Sequence, residues 1–350
     1  MNKGRPLPTV VAEILETART KRDVVVPNSA LRMDGEKNTL VWDTDYATPS
    51  QHTHGQMADY LGIPRRFYDR LRSEAPGLIT ANVNGLLERK PDDRRLVRTL
   101  NGQARAYLSD RYRLGLDNVD MAEALLPLVT DPTNQYEVKS IEVTENKFYL
   151  QVVTPRIEGE IRKGDPVQFG WIASNSEIGL GGWNLTPLLY RLACTNGMII
   201  AEQASRRAHI GGRLVGDADG GFLVMSSEAQ EATDKAAHLQ LRDMVGQLSG
   251  AAGFQSLIDS FRERADDKIE KDPIKAIEVL GNRYSLVEDE KTSILYSFLG
   301  NNDHTRWGMA NAVTEQANEM PNYDRAMRLQ AVGGEVMALA GNEWRELAHA

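Results

Sequence analysis

Leu96-Val97-Arg98-Thr99-Leu100-Asn101-Gly102-Gln103-Ala104-Arg105-Ala106-Tyr107 reads as an antiparallel hairpin. An Asn-Gly pair between two runs of alternating residues is the signature of a two-residue loop whose central residues both take positive φ. Such a loop fixes register: Leu100 pairs with Gln103, Thr99 with Ala104, and Arg98 falls opposite Arg105. Like charges across a ladder are destabilising. The arrangement therefore calls for an anion, either a carboxylate of this protein or a phosphate of a partner. Removing both arginines should leave stability unchanged or raise it.

Strand alternation assigns Val97, Thr99, Ala104, Ala106 and Leu108 to an apolar face. It assigns Arg94, Leu96, Arg98, Leu100, Gln103, Arg105, Tyr107 and Ser109 to the other, and Arg111 and Arg113 follow directly. Guanidinium forks suit phosphates, and an aromatic ring offers a base a stacking platform. Arg94, Arg98, Arg105, Tyr107, Arg111 and Arg113 are thus the candidate nucleic-acid-binding residues. The competing reading is that acidic helices cover this face and Tyr107 is ordinary packing.

Charge distribution sharpens both readings. The 350-residue chain has a net charge of −8, yet residues 61–115 hold twelve basic against six acidic residues. From Ser227 to Ala350 there are 21 acidic and 13 basic residues. An Arg-rich segment in an acidic protein forms either a phosphate-binding surface or a set of internal ion pairs. Length and a 41% hydrophobic composition allow a substantial core. No run of about 18 apolar residues occurs, so no membrane helix is expected. Residues 1–6 lack an apolar leader core, so no secretory signal is read. A single cysteine excludes an internal disulfide and a thiolate cluster.

Along the chain, helices are expected at Val10–Arg22, Gln56–Leu61, Arg65–Glu74 and Val119–Val129. Strands are expected at Val24–Val26, Val138–Val143, Phe148–Val153 and Val167–Ala173. A second Asn-Gly, Asn196-Gly197, predicts a hairpin over Leu188–Gln203 with Arg191 opposite Glu202. After Gly220-Gly221 the pattern turns helical: Glu228–Leu248, Phe254–Lys271, a helix capped by Asp272-Pro273, then Ser285–Leu299, Thr305–Met320 and Tyr323–Leu339. The expected fold is α+β, with a body over residues 1–225 built on a central antiparallel sheet and a helical region over 226–350.

Other motifs carry less. The glycine-rich Ser174–Trp183 stretch lacks the Lys-Ser/Thr ending of a phosphate-binding loop and reads as a connection between strands. Glu177 within it could serve as a base or ligand, but nothing adjacent in sequence supports that. His52-Thr53-His54 has no third ligand in sequence, so neither a metal nor a cofactor is expected. Cys194 reads as buried packing. No catalytic motif is present, and the chain reads as a non-enzyme.

Three blocks together carry a resemblance. The first is Leu61-Gly62-Ile63-Pro64-Arg65-Arg66-Phe67-Tyr68 with Arg105–Arg113. The second is Ser174-Asn175-Ser176-Glu177 with Tyr190-Arg191-Leu192-Ala193-Cys194-Thr195-Asn196-Gly197-Met198. The third is Thr305-Arg306-Trp307-Gly308 through Asn311-Ala312-Val313-Thr314. On these the chain resembles a phage- and plasmid-encoded family of proteins of unknown function. The resemblance implies a mobile-element gene expressed in the host cytoplasm and supplies no activity or catalytic residues.

The resulting expectation is a phage-encoded, non-enzymatic nucleic-acid-binding protein, acting on single-stranded DNA in replication or recombination. Its acidic helical third would serve self-association as a homo-oligomer or host contacts. The alternative is a phage interaction or assembly protein whose arginines meet an acidic protein partner.

Overall fold

The computed structural model describes residues 4–112, 115–193, 195–201, 205–207, 209, 226–248 and 250–350. The chain begins with α1 (Leu7–Thr20) and β1 (Arg22–Pro27), then three short strands, β2 (Leu31–Asp34), β3 (Thr39–Trp42) and β4 (Asp45–Pro49). Helices α2 (Gln51–Leu61), α3 (Arg65–Glu74) and α4 (Pro76–Glu88) precede the hairpin of β5 (Arg94–Leu100) and β6 (Gln103–Ser109). Ser50 caps α2 by accepting the Thr53 N–H, and Gly62 ends it in the left-handed conformation with φ 68°. These six strands form one sheet in the order β1-β5-β6-β4-β3-β2, in which β4 runs parallel to β6.

After α5 (Asn118–Thr130) comes the second sheet: β7 (Glu137–Val143), β8 (Phe148–Arg162), β9 (Asp165–Asn175), β10 (Trp183–Arg191) and β11 (Asn196–Ile199), with β12 (Ser205–Arg207) also pairing to β10. All its described pairings are antiparallel. The helices α6 (Ser227–Leu248), α7 (Ala251–Ala265), α8 (Pro273–Tyr284), α9 (Glu288–Gly300), α10 (Arg306–Gln316), α11 (Tyr323–Ala338) and α12 (Gly341–Ala348) complete the α+β fold. The expected helix behind Asp272-Pro273 is α8, where Asp272 Oδ1 accepts the Ile274 N–H. β8 runs nine residues past its expected end at Val153, and β2, β3, β4, α4 and α12 have no counterpart in the sequence reading.

Two apolar cores result. The larger unites the second sheet with α1, α5 and the C-terminal helices, and includes Trp171, Trp307, Phe298 and Leu329. The smaller packs Val97, Ala104 and Tyr107 of the hairpin against α2, α3 and α4. The hairpin's opposite face is also covered: Leu96, Ala106 and Leu108 pack with Tyr112 and with Ile178 of the β9–β10 connection. That connection approaches closely. Gly179 has φ 86°, and a Cβ there would lie 2.7 Å from Leu108, so only glycine fits.

The hairpin itself corrects the expected register. Asn101 (φ 51°) and Gly102 (φ 78°) make the two-residue turn, and Leu100/Gln103 and Thr99/Ala104 pair as read. Beyond them the ladder slips by one, so Arg98 pairs with Ala106 and Arg105 is the unpaired residue of a β-bulge. The slip reverses the faces above it: Tyr107 now sits beside Val97 on the core side. Arg98 is not opposite Arg105.

The second hairpin is also corrected. Asn196 pairs with Arg191 and Gly197 with Tyr190, so both lie in β11 rather than in a turn. The reversal lies between Arg191 and Asn196, with Thr195 at φ 50°. Gly197 is required for packing, since a Cβ there would lie 2.9 Å from Leu188 and 3.2 Å from Gln330. Arg191 pairs with Asp165 at 2.6 Å, and Cys194 and Glu202 lie outside the described residues.

Candidate nucleic-acid interface

The pairing of β1 with β5 puts Asp23 directly across the ladder from Arg98. Arg98 is 2% exposed. Its Nε and Nη2 donate to the two Asp23 carboxylate oxygens at 2.8 and 2.7 Å, and Nη1 and Nη2 donate to Asp117 at 2.9 and 3.1 Å. Nη1 also donates to the Glu177 carbonyl at 2.9 Å, and the guanidinium lies 5.4 Å from the Tyr112 ring centroid. Burial opposes the Arg98 charge. The hydrogen bond to Asp23 and the charges of Asp117, Asp23 and Glu177 outweigh it and hold its pKa well above the ordinary arginine value.

Lys21, at the end of α1, closes the cluster. Its Nζ donates to Asp117 and lies 3.3 Å from Glu177 Oε1. Glu177 Oε1 also accepts the backbone N–H of Asn118 at 2.8 Å, at the N-terminus of α5 where a carboxylate is favoured. Two cations and three carboxylates from four chain segments thus meet under the hairpin. The anion the sequence demanded for Arg98 is supplied by the protein itself.

Tyr107 is 1% exposed. Its hydroxyl donates to Asn28 Oδ1 at 3.4 Å, its ring meets Tyr60 edge-on at 5.7 Å, and Arg95 lies 4.8 Å from its centroid. Burial raises its pKa above the ordinary tyrosine value. It is a core residue and presents no open ring to a base, because the bulge turned it inward. Arg94 is half-buried in the ladder opposite Pro27, Arg111 is exposed at the turn after β6, and Arg113 lies outside the described residues. The five described ones, Arg94, Arg98, Arg105, Tyr107 and Arg111, do not form one surface.

Arg105 behaves differently. Freed from the ladder by the bulge, it donates from Nη2 to the Glu145 carbonyl at 2.6 Å, and among the described residues no carboxylate pairs with it. It lines two adjoining cavities. The larger, about 680 Å³, is walled by α2 residues Gln51, His52 and Gln56 and by Arg65, Gln103, Glu145, Asn146 and Leu180. The smaller, about 310 Å³, lies over the buried cluster and includes Lys21, Arg98, Leu100, Asn118, Lys147, Glu177 and Ile178. Arg105, Glu145, Asn146 and Ile178 belong to both, so the two form one cleft.

Most charges along this cleft are already matched. Arg5 holds Glu13 and Glu142, Lys21 and Arg98 hold Asp117 and Glu177, and Arg65 pairs with Asp69 at 2.7 Å. Neither Arg105 nor Lys147 has a carboxylate partner among the described residues. His52 donates from Nε2 to the Ile178 carbonyl at 2.8 Å and joins α2 to the β9–β10 connection. His54 is buried: Nε2 donates to Asn38 Oδ1 and Nδ1 accepts from the Tyr68 hydroxyl, both at 3.0 Å. Burial above all, aided by Arg72 and Arg65, lowers its pKa to about 3. Among the described residues no group of three or more His, Cys, Asp or Glu side chains is arranged to hold a metal ion, and no helix is long and apolar enough to cross a membrane.

Sequence reasoning missed Lys21, Asp23, Asp117 and Asn118, and it noted Glu177 only as a possible base or ligand, not as a partner of this cluster. The only signal was the call for an anion beside Arg98, which named a carboxylate of the protein as one source without saying which.

A family model described as Domain of unknown function (DUF932) matches residues 106–331. The match takes in β6 from Ala106, the second sheet and the helices through most of α11, and contains Asp117 and Glu177; Lys21, Arg98 and Arg105 lie before it. No curated protein and no solved structure matches the chain.

Proposed function

The chain belongs to the DUF932 family, and from the cleft geometry we propose that it is a non-enzymatic nucleic-acid-binding protein that holds a single strand by its phosphates. The observation that carries this reading is Arg105, a bulged arginine with no carboxylate partner among the described residues, at the junction of two cavities. β-Bulges re-aim side chains and recur beside functional sites. A guanidinium whose charge is not consumed internally is suited to a phosphate. Lys147 lines the same cleft, and the amides of Gln51, Gln103 and Asn146 can accompany a backbone or a base edge.

This reading moves binding from the hairpin face to the cleft, removes Tyr107 from contact with the ligand, and leaves Arg98 in the cleft wall with its charge held by Asp23 and Asp117. In the mobile-element setting suggested by the sequence resemblance, such a protein would serve replication or single-strand recombination.

The test is anisotropy of a labelled single-stranded oligonucleotide titrated with salt. Affinity should fall steeply as salt rises, because each neutralised phosphate releases condensed counterions. Arg105→Ala should reduce the slope of log K against log salt by about 0.7, one single-strand contact. No binding at roughly 50 mM salt would overturn the proposal.

A further inference from the structure

We propose that the smaller cavity takes one unstacked nucleotide, its base inside and its phosphate on Arg105. This rests on the cleft reading above and specifies what enters it. At about 310 Å³ the cavity is of small-ligand size. Its charged lining is largely consumed: Arg5 by Glu13 and Glu142, Lys21 and Arg98 by Asp117 and Glu177. What remains toward the space includes aliphatic surface from Leu100, Val143 and Ile178, with Lys147 in this cavity alone and Arg105 and Glu145 at the side shared with the larger one. Glu145 and Lys147, neither ion-paired among the described residues, are of opposite sign and offset each other in the lining, a balance that suits a neutral planar base rather than a second phosphate.

Asn118 supplies the polar contact. It is 9% exposed and lines the cavity. His209 Nε2 donates to Asn175 Oδ1 at 2.7 Å, so Asn175 presents its Nδ2, which donates to Asn118 Oδ1 at 2.9 Å. That relay fixes the Asn118 amide with its oxygen occupied. The Nδ2 group has no partner among the described residues and is the free donor of a buried side chain. Every base offers acceptors on its edges, so one donor holds a base without choosing among them.

The source of the nucleotide, a strand or a free mononucleotide, is separated by two probes: a short single strand carrying 2-aminopurine at its centre, and dCMP. On strand binding the 2-aminopurine emission should rise as the base leaves its neighbours. Leu100→Trp, which fills the space from a half-exposed position, should abolish that rise. Asn118→Ala should weaken dCMP binding by roughly tenfold. Thermal melting of both variants separates a lost site from a lost fold. A strand that binds wild-type protein with no emission change, together with no dCMP binding, overturns the pocket and leaves the strand reading standing. Binding of dCMP, weakened by Asn118→Ala, without strand binding keeps the pocket and removes the strand. Binding of neither probe removes both.

Discussion

Arg98 and Asp117 form a two-pronged pair, Nη1 to Oδ1 at 2.9 Å and Nη2 to Oδ2 at 3.1 Å, with both residues below 5% exposure. Removing one member of a buried pair strands the other charge, at a cost of about 3–5 kcal/mol. Arg98→Ala should therefore destabilise by roughly that amount in urea unfolding. Arg98→Lys should recover little, since one ammonium cannot replace a fork that serves two carboxylates. A stable Arg98→Ala protein would restore the expectation that the hairpin carries repelling arginines.

Arg105→Ala should do the opposite. The residue stands outside the ladder and forms no salt bridge among the described residues, so its loss should change stability by no more than about 0.5 kcal/mol. The same urea series that reports the Arg98 effect measures this one. A large loss of stability at Arg105 would make it a structural residue.

Tyr107→Ala should cost about 3–5 kcal/mol of stability, the ordinary price of an aromatic cavity in a packed core. Tyr107→Phe should cost less than about 1 kcal/mol, because the hydroxyl makes only one long hydrogen bond. If the ring were a stacking platform, the alanine variant would keep its stability and lose affinity for single strands.

His54 sets an acid limit. Its pKa is about 3 in the folded chain against an ordinary 6.5, so on acidification the unfolded chain takes up a proton that the folded ring refuses. Stability is full above the ordinary value and declines as pH falls from about 6.5 toward 3. From pH 7 to 5 the loss from this one group should be roughly 2 kcal/mol. Unfolding midpoints of wild type and His54→Gln at the two pH values measure it: the glutamine variant should show a smaller drop.

The residues show why some of this was readable and some was not. Turns and caps are local, so Asn101-Gly102, the end of α2 before Gly62 and Asp272-Pro273 fall where the sequence puts them, while α2 begins at Gln51, five residues before its expected start. The bulge at Arg105 leaves no local mark, because arginine in a bulge looks like arginine in a strand, and one extra residue reversed every face assignment beyond it. Asn196-Gly197 shares its letters with the true turn for another reason: Gly197 makes room for Leu188 and Gln330, and Asn196 donates to Thr314. Strands β2 and β3, four residues each, are too short for periodicity to register. Arg98 was singled out correctly as needing an anion. Its partners stand 75, 19 and 79 positions away and could be found only through the folded chain.

The buried charge cluster has a consequence for the lifetime of the fold. Lys21 and Glu177 are 156 positions apart, and they meet only after β1 has joined β5 and the β9–β10 connection has closed over the hairpin. We expect this ion pair to close after the main folding barrier, so that it slows escape from the native state without hastening arrival. Glu177→Gln should accordingly raise the unfolding rate while refolding rates stay near wild type in stopped-flow denaturant jumps. On that account the ions under the hairpin act as a clasp on a finished molecule, setting how long the two sheets remain together once they have met.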